Sequence, residues 1–257
     1  MTDARANDLR NPQPAAAAAG TTVLSERWLK PSSAHANDIE FESATIPASL
    51  SLYVAAGTTE AITDATVNPY VDNTAAHHAN AHTNRASWLA MQVKRNNTRY
   101  YLMQDYTAPT NVHYWSRVAQ SWRAVDDGCD IGIVLAAQSA GAPDFNNRVE
   151  IVWSDTTAGR KLTARKVVAG ATTNVNTPGG QASEQPGLPY LGIHKLGSTW
   201  WFRGFPEGAG EYVIGTTSQA FTMKYAGWVF QNNSNSPGGG IALTDFARFV
   251  ESDTFVP

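Results

Sequence analysis

The sequence predicts an all-β protein built as an antiparallel sandwich of two sheets. Short apolar and aromatic runs recur about every ten residues, and breaks rich in glycine or proline separate them. No internal repeat and no convincing amphipathic helix interrupts this pattern. The chain has 257 residues, of which 42% are hydrophobic and 16% charged. It is therefore long enough for one large sandwich whose surface relies on Thr, Ser, Asn and Gln.

The closing part of the chain shows the clearest strand pattern. Gly197 and Ser198 break one run and lead directly into an aromatic one. In that run Trp200 and Trp201 are adjacent, so one must face the core and the other must point outward. The predicted closing strands are 188–195, 199–205, 211–215, 225–231 and 241–249.

The earlier strands are recognised by the same enrichment in β-branched and aromatic residues. Residues 57–84 are different, because they are rich in Thr, Ala, Asn and His without a clear period, and they predict a long inserted loop. On a helix His78 and His82 would reach metal-ligand spacing, but the surroundings favour a polar loop or subunit contact that also holds His77. The earlier predicted strands are 39–42, 50–54, 87–93, 99–103, 112–118, 130–136, 148–153 and 161–168.

The order of the closing strands resembles a known family. Residues 191–197 match a pattern L-x-I-x-K-x-G that leads through a hairpin into an aromatic strand, and 227–229 and 245–249 match the two strands that follow. This arrangement resembles the concanavalin A-like lectin/glucanase (laminin G-like) jelly rolls, over roughly residues 100–250. The resemblance implies a jelly-roll sandwich of the kind also found in phage tail fibre, receptor-binding and decoration proteins.

The glucanases of that family carry their catalytic carboxylates as E-x-D-x-E or E-x-D-x-x-E on one strand, and no such string occurs here. The nearest candidates are Asp38, Glu40 and Glu42, which share one side of the first predicted strand and favour a solvated face. The sequence therefore predicts no catalytic residues and no enzyme. Glycan cleavage is the least favoured alternative, and changing Glu40 or Glu150 would test it.

Mixtures of aromatic and polar residues offer the remaining lead. The flat faces of sugar rings stack on Trp and Tyr, although sandwich cores use the same residues for packing. A structural calcium ion is left open as an alternative, because Asp126, Asp127 and Asp130 lie close together in sequence; otherwise no cofactor and no metal site is predicted. The candidate carbohydrate-binding residues are Trp115, Arg117, Arg148, Glu150 and Trp201.

Residues 1–22 predict an extended arm, and 23–257 the sandwich. The arm is polar and then carries five alanines, which are too few for a stable isolated helix. Since it has nothing to bury, ordering it requires another molecule to offset the lost conformational entropy. Together with the resemblance, this predicts a structural protein of a bacteriophage or phage-like particle, either tail fibre, spike or capsid decoration, that docks to other virion proteins through its arm.

The predicted particle protein forms a homo-oligomer, with a trimer preferred, and presents a domain that binds host surface polysaccharide. A free-standing carbohydrate-binding module is the alternative. The net charge of −3 offers no general attraction for nucleic acid. No apolar run approaches the roughly 18 residues of a membrane span, and the first residues lack a secretory segment. The predicted location is therefore the virion, after synthesis in the host cytoplasm.

Overall fold

The computed structural model describes residues 35–40, 46–64, 77–82, 88–93, 98–120, 130–156, 159–176, 190–205, 212–231 and 241–250. All regular elements in these ranges are strands, which confirms the predicted all-β, two-sheet jelly-roll sandwich. The same ranges contain no helix that is long and apolar enough to cross a membrane. The predicted arm 1–22 lies outside them, as do Glu42, Asp126 and Asp127.

The strands are numbered in chain order. The first seven are β1 (Ile39–Glu40), β2 (Ser51–Val54), β3 (Thr59–Glu60), β4 (Ile62–Asp64), β5 (His77–His82), β6 (Trp88–Gln92) and β7 (Arg99–Asp105). The next five are β8 (Asn111–Gln120), β9 (Asp130–Ser139), β10 (Ala142–Thr156), β11 (Gly159–Val168) and β12 (Ala171–Asn174). The last five are β13 (Tyr190–Leu196), β14 (Thr199–Phe205), β15 (Tyr212–Ser218), β16 (Tyr225–Gln231) and β17 (Ile241–Val250).

Within the described ranges these strands form a nine-stranded and an eight-stranded sheet. The nine-stranded sheet has the order β15-β14-β13-β8-β17-β6-β5-β4, with β1 paired to β17 as well. The eight-stranded sheet has the order β12-β11-β10-β9-β16-β7-β2-β3. The neighbours run antiparallel except β4 and β5, which are parallel. Strands that are distant in sequence therefore lie side by side, as a jelly roll requires.

The core lies between the two sheets. Alternate residues of each strand point into it, so Trp200 is fully buried while Trp201 keeps partial exposure, as the sequence predicted. Two polar groups cross the core and are satisfied there, since Tyr114 Oη donates to Gly227 O at 2.8 Å and Trp228 Nε1 donates to Ser116 Oγ at 2.8 Å. These bonds fix the position of one sheet on the other at no cost in unpaired polar groups.

The predicted loop 57–84 is corrected by the structure, because β3, β4 and β5 all lie within it. His78 and His82 belong to β5, a strand, so the helix that would bring them to metal-ligand spacing is not formed. β5 pairs with β6 along five residues and with β4 on its other side. Its polar sequence gives no strand signal, because pairing with neighbours, rather than intrinsic propensity, makes it a strand.

Both long sides of the sandwich are linked across the two sheets. On one side β3 ends the eight-stranded sheet and β4 ends the nine-stranded sheet, and Ala61 alone connects them. On the other side Asn176 forms a bridge to Gly215 of β15. The side chain of Asn176 accepts a hydrogen bond from the backbone N of Ala164 at 2.8 Å and donates one to the carbonyl of Leu162 at 3.1 Å. Asn176 thus ties β11 to the edge of the opposite sheet.

Candidate functional site

The five residues that the sequence predicted as carbohydrate contacts fall on two different sheets. Arg148 and Glu150 lie in β10 of the eight-stranded sheet. Trp115 and Arg117 lie in β8, and Trp201 lies in β14, both in the nine-stranded sheet. The structure therefore brings Arg148 and Glu150 together and separates them from the other three.

Arg148 and Glu150 belong to a cluster of charged side chains on the outward face of the eight-stranded sheet. The neighbouring residues Val149 and Ile151 point to the core, so alternation places Arg148 and Glu150 on the opposite side. A shift in register between Asp144 and Arg148 precedes them. We call this cluster the arginine face, and its members are Arg99, Asp130, Arg148, Glu150 and Arg165.

Glu150 is the centre of the arginine face. Its Oε1 accepts from Arg99 Nη1 at 2.5 Å and from Arg165 Nη1 at 3.4 Å, and its Oε2 accepts from Arg148 Nε at 2.8 Å. The three guanidiniums come from β7, β11 and β10. One carboxylate therefore joins three strands of the sheet.

Asp130 is the second acid of the arginine face. Its Oδ2 accepts from Arg99 and, at 3.1 Å, from Arg165 Nη1. Two neutral side chains complete the arrangement: Ser154 Oγ lies 3.2 Å from Arg165 Nη2, and Gln231 Oε1 accepts from Arg99 Nε at 3.0 Å. Asp130 is thus paired with guanidiniums, and the calcium alternative stays untested because Asp126 and Asp127 lie outside the described ranges. Within the described ranges no three His, Cys, Asp or Glu side chains are grouped as metal ligands.

Attraction between opposite charges keeps both Glu150 and Arg99 ionised. Burial opposes ionisation of Glu150, but Arg99, Arg148 and Arg165 outweigh it and lower the pKa of Glu150 to about 2. Burial likewise acts to lower the pKa of Arg99, and attraction to Glu150 and Asp130 outweighs it, so that pKa is raised. Glu150 therefore stays a carboxylate at neutral pH and does not have the protonated form that a general acid needs.

The acids lie beneath the bases. The side chain of Glu150 is fully buried and that of Asp130 is 9% exposed, whereas Arg148, Arg99 and Arg165 keep 12%, 16% and 20% of their side-chain surface exposed. The three arginine side chains therefore keep more exposed surface than the two acids do. The guanidinium groups are planar donors held at fixed positions, which suits them to bind hydroxyl and anionic oxygen atoms.

Buried aromatic rings support the arginine face. Tyr101 and Phe145 stack with ring centroids 3.7 Å apart, and the guanidinium of Arg148 lies 5.8 Å from the centre of the Tyr101 ring. Arg148 also donates through Nη1 to the carbonyl of Phe145. Since Tyr101 and Phe145 are both buried, they position Arg148 rather than offer a surface for stacking. Tyr53, whose ring centroid lies 6.5 Å from that of Phe145, keeps partial exposure.

The other three predicted residues lie on the outward face of the nine-stranded sheet. Trp115 is buried there, and the guanidinium of Arg117 lies 5.7 Å from the centre of the Tyr190 ring. Their neighbours include His113 and His194, whose Nδ1 atoms are in contact. A role of Trp115, Arg117 and Trp201 in binding sugar stays a prediction of the sequence.

Sequence reasoning did not choose three members of the arginine face as carbohydrate contacts, namely Arg99, Asp130 and Arg165, and it considered Asp130 only as a calcium ligand. Each lies in a strand that was correctly predicted, and each is a charged residue with an apolar or aromatic residue on at least one side. That contrast is the available signal, because a charged residue in a buried strand is usually paired. What the sequence lacks is the register that brings β7, β9 and β11 to Glu150.

No protein-family model and no curated protein matches this sequence. Several solved structures share its fold. A GH43 protein, a glycoside hydrolase, from Bacillus licheniformis matches with a TM-score of 0.56 and 16% identity over 84% of this chain and 39% of its own. A xylan beta-1,4-xylosidase from Bacillus halodurans matches with a TM-score of 0.56 and 13% identity over 86% of this chain and 40% of its own.

A third match is a GH43 protein of a xyloglucan locus in Bacteroides ovatus, with a TM-score of 0.53 and 15% identity over 84% of this chain and 39% of its own. The chain thus spans about two fifths of the length of these proteins. At this level of identity the matches show the β-sandwich fold alone. They make the chain structurally similar to carbohydrate-active proteins.

The prediction that the chain is not an enzyme is wrong as it was argued. It rested on one missing carboxylate string, yet the fold is shared with proteins described as glycoside hydrolases. The physical reason is that the two catalytic carboxyl groups need only lie about 5–9.5 Å apart in space. They are not required to alternate along one strand.

Proposed function

We propose that this chain is a carbohydrate-recognising β-sandwich domain whose binding site is the arginine face. The observation that carries the proposal is the fixed array of three guanidiniums on the outward side of the eight-stranded sheet. The shared fold with GH43 proteins supports a carbohydrate as the ligand. Hydrogen-bond donors held by a rigid sheet lose little freedom on binding, which favours affinity for polar ligands.

Two further polar side chains extend the arginine face along β11. Lys161 pairs with Ser154 and Thr163 pairs with Val152, so both stand on the same side of the sheet as Glu150. Both are partly exposed. Together with the guanidiniums, they could contact successive hydroxyl groups of an extended chain of sugars.

The proposal is tested by titrating the protein with soluble polysaccharides in a calorimeter. Thr163→Val and Lys161→Gln should weaken binding, since each removes a donor from the proposed surface. Lys166→Gln is the matched control, because Lys166 lies on the same strand and points to the other side, where its Nζ is 3.5 Å from the carbonyl of Ser218. Equal affinity of all four proteins for every bound glycan would place the site elsewhere.

Glycan cleavage is the second candidate, and the GH43 matches favour it. If it occurs at the arginine face, the ionised Glu150 supplies a base or nucleophile and not the acid. Release of reducing ends from xylan would support cleavage, provided that Glu150→Gln and Asp130→Asn abolish it in proteins that remain folded. Release that persists in both variants would assign cleavage to other residues.

The particle role stays a proposal from the sequence, and what supports it is the polar, alanine-containing arm 1–22. Removing residues 1–22 should leave a folded sandwich that no longer joins the particle or its homotrimer. Sedimentation of the full and truncated chains, with and without other virion proteins, measures both. Unchanged assembly of the truncated chain would reject the arm as the anchor.

A further inference from the structure

We infer that the arginine face selects acidic polysaccharides, those that carry uronate carboxylates. The inference deepens the proposed function and rests on it, because it names the class of glycan bound at the same site. Its basis is the charge of the described side chains and the depth at which each of them lies.

Among the residues that the structure describes, the charges of the arginine face do not cancel. Three guanidiniums face two carboxylates, and Lys161 adds a further positive charge on the same side of the sheet. If the network served folding alone, we would expect equal numbers of positive and negative groups. Each buried charge without a partner raises the free energy of the folded state, because it must be desolvated. One or two anionic groups from outside would bring this surface to neutrality.

The geometry also favours an anion on the solvent side. Glu150 is fully buried and fills the inner side of the cluster, and the arginines above it retain exposed surface. An arriving carboxylate therefore meets the exposed parts of Arg148 and Arg165 before it meets either acid. The acids beneath hold the guanidiniums in place, which reduces the entropy that binding would otherwise lose.

A carboxylate fits better than a spherical or tetrahedral anion. The planar fork of a guanidinium matches two carboxylate oxygens. Within the cluster each guanidinium reaches only one oxygen of Glu150 or of Asp130, so a two-oxygen contact is left for an added carboxylate. Lys161, a point charge on a flexible stem, suits a second acidic sugar farther along the same chain.

The test compares polygalacturonate with uncharged xylan and with dextran sulfate, by calorimetry at two salt concentrations. We expect polygalacturonate to bind best and to lose affinity at high salt, because exposed charges are screened. Arg165→Gln should weaken it about 10-fold or more, as expected for loss of a hydrogen bond to a charged group. Lys161→Gln should weaken the binding of polygalacturonate about 3-fold. This variant keeps the test valid if Arg165→Gln does not fold.

The other outcomes separate the two proposals. If xylan binds as tightly as polygalacturonate and Lys161→Gln or Thr163→Val weakens it, the arginine face is a glycan site and the preference for acidic sugars is overturned. If dextran sulfate binds equally well, or if Lys166→Gln weakens binding as much as Lys161→Gln, general charge attraction accounts for the result and overturns the inference. If no glycan binds, both proposals fail.

Discussion

At the residue scale, Glu150 shows how a fully buried charge is tolerated in this sheet. Desolvating a lone carboxylate is costly, and only direct pairing with several cations offsets that cost. Here three guanidiniums make the ionised form the stable one. Position 150 therefore requires an acid for folding, whatever it also does for a ligand.

Replacing Glu150 tests this requirement. Glu150→Gln keeps the shape but leaves Arg99 and Arg165 paired with Asp130 alone and Arg148 without its acid. We expect a loss of about 3 kcal/mol in the free energy of unfolding. Chemical denaturation measures it. Asp105→Asn is the control, since Asp105 is an exposed acid on β7 and its replacement should change stability by no more than about 0.5 kcal/mol. Equal stability of the two variants would show that the pairing contributes little.

A second residue-scale prediction concerns His194. Burial first, then His113 and Arg203, lower the pKa of His194 well below its usual 6.5. The unfolded chain therefore binds a proton that the folded chain does not, so stability is complete above pH 6.5 and falls as the pH drops below that value. Unfolding free energies from pH 7.5 to 5 should show this slope, and His194→Gln should reduce it. An unchanged slope in His194→Gln would assign it to other groups.

At the scale of elements, the central strands approach each other so closely that a side chain does not fit at some positions. A Cβ at Gly227 of β16 would lie 2.0 Å from the carbonyl oxygen of Leu102 in β7, and one at Gly132 of β9 would lie 2.0 Å from that of Ile151 in β10. These glycines therefore allow the backbone contact that holds the middle of the eight-stranded sheet together.

Gly227→Ala should destabilise the sheet by about 1–3 kcal/mol or more, because backbone must move to admit the methyl group. Gly141→Ala offers a comparison in which space is not limiting. Nothing lies within 4 Å of a Cβ there, although φ is +84°, so the expected loss is about 1–2 kcal/mol from the left-handed backbone alone. Thermal and denaturant unfolding of both variants would rank them, and a smaller loss at Gly227 would contradict the steric explanation.

The same scale shows what sequence can predict. Strands such as β14 and β16 were placed at their observed bounds, because their aromatic runs end at clear breaks. β5 and β12 were missed, since their polar residues carry no periodic signal and their pairing with β6 and β11 makes them strands. The arginine face could not be predicted from the sequence for a related reason. Arg99 and Glu150 are 51 residues apart in the chain, and only the order of strands in the sheet brings them together.

At the scale of the whole molecule, the two sheets present different outward faces. The eight-stranded sheet carries the arginine face, and the nine-stranded sheet carries Trp115, Arg117 and Trp201. The core separates them, so a ligand on one face does not touch the other. The five residues that formed one predicted binding set in sequence thus belong to two surfaces, with both tryptophans on the nine-stranded sheet.

This separation predicts that the faces act independently. Trp201→Ala should leave glycan affinity unchanged, whereas Arg165→Gln should reduce it, and the double variant should match Arg165→Gln alone. Calorimetric titration of the three proteins measures this. Loss of binding in Trp201→Ala would move the glycan site to the nine-stranded sheet and would support the residues chosen from sequence.

Ala61 and the Asn176–Gly215 bridge connect the two sheets along both flanks, so the sandwich is closed on its sides like a flattened tube. Separating the two sheets at either flank would strain the one-residue connection or break the backbone bridge. Side-chain packing therefore fills the space between the sheets. A ligand must bind on the outward face of a sheet or at an end of the sandwich, and not between the sheets.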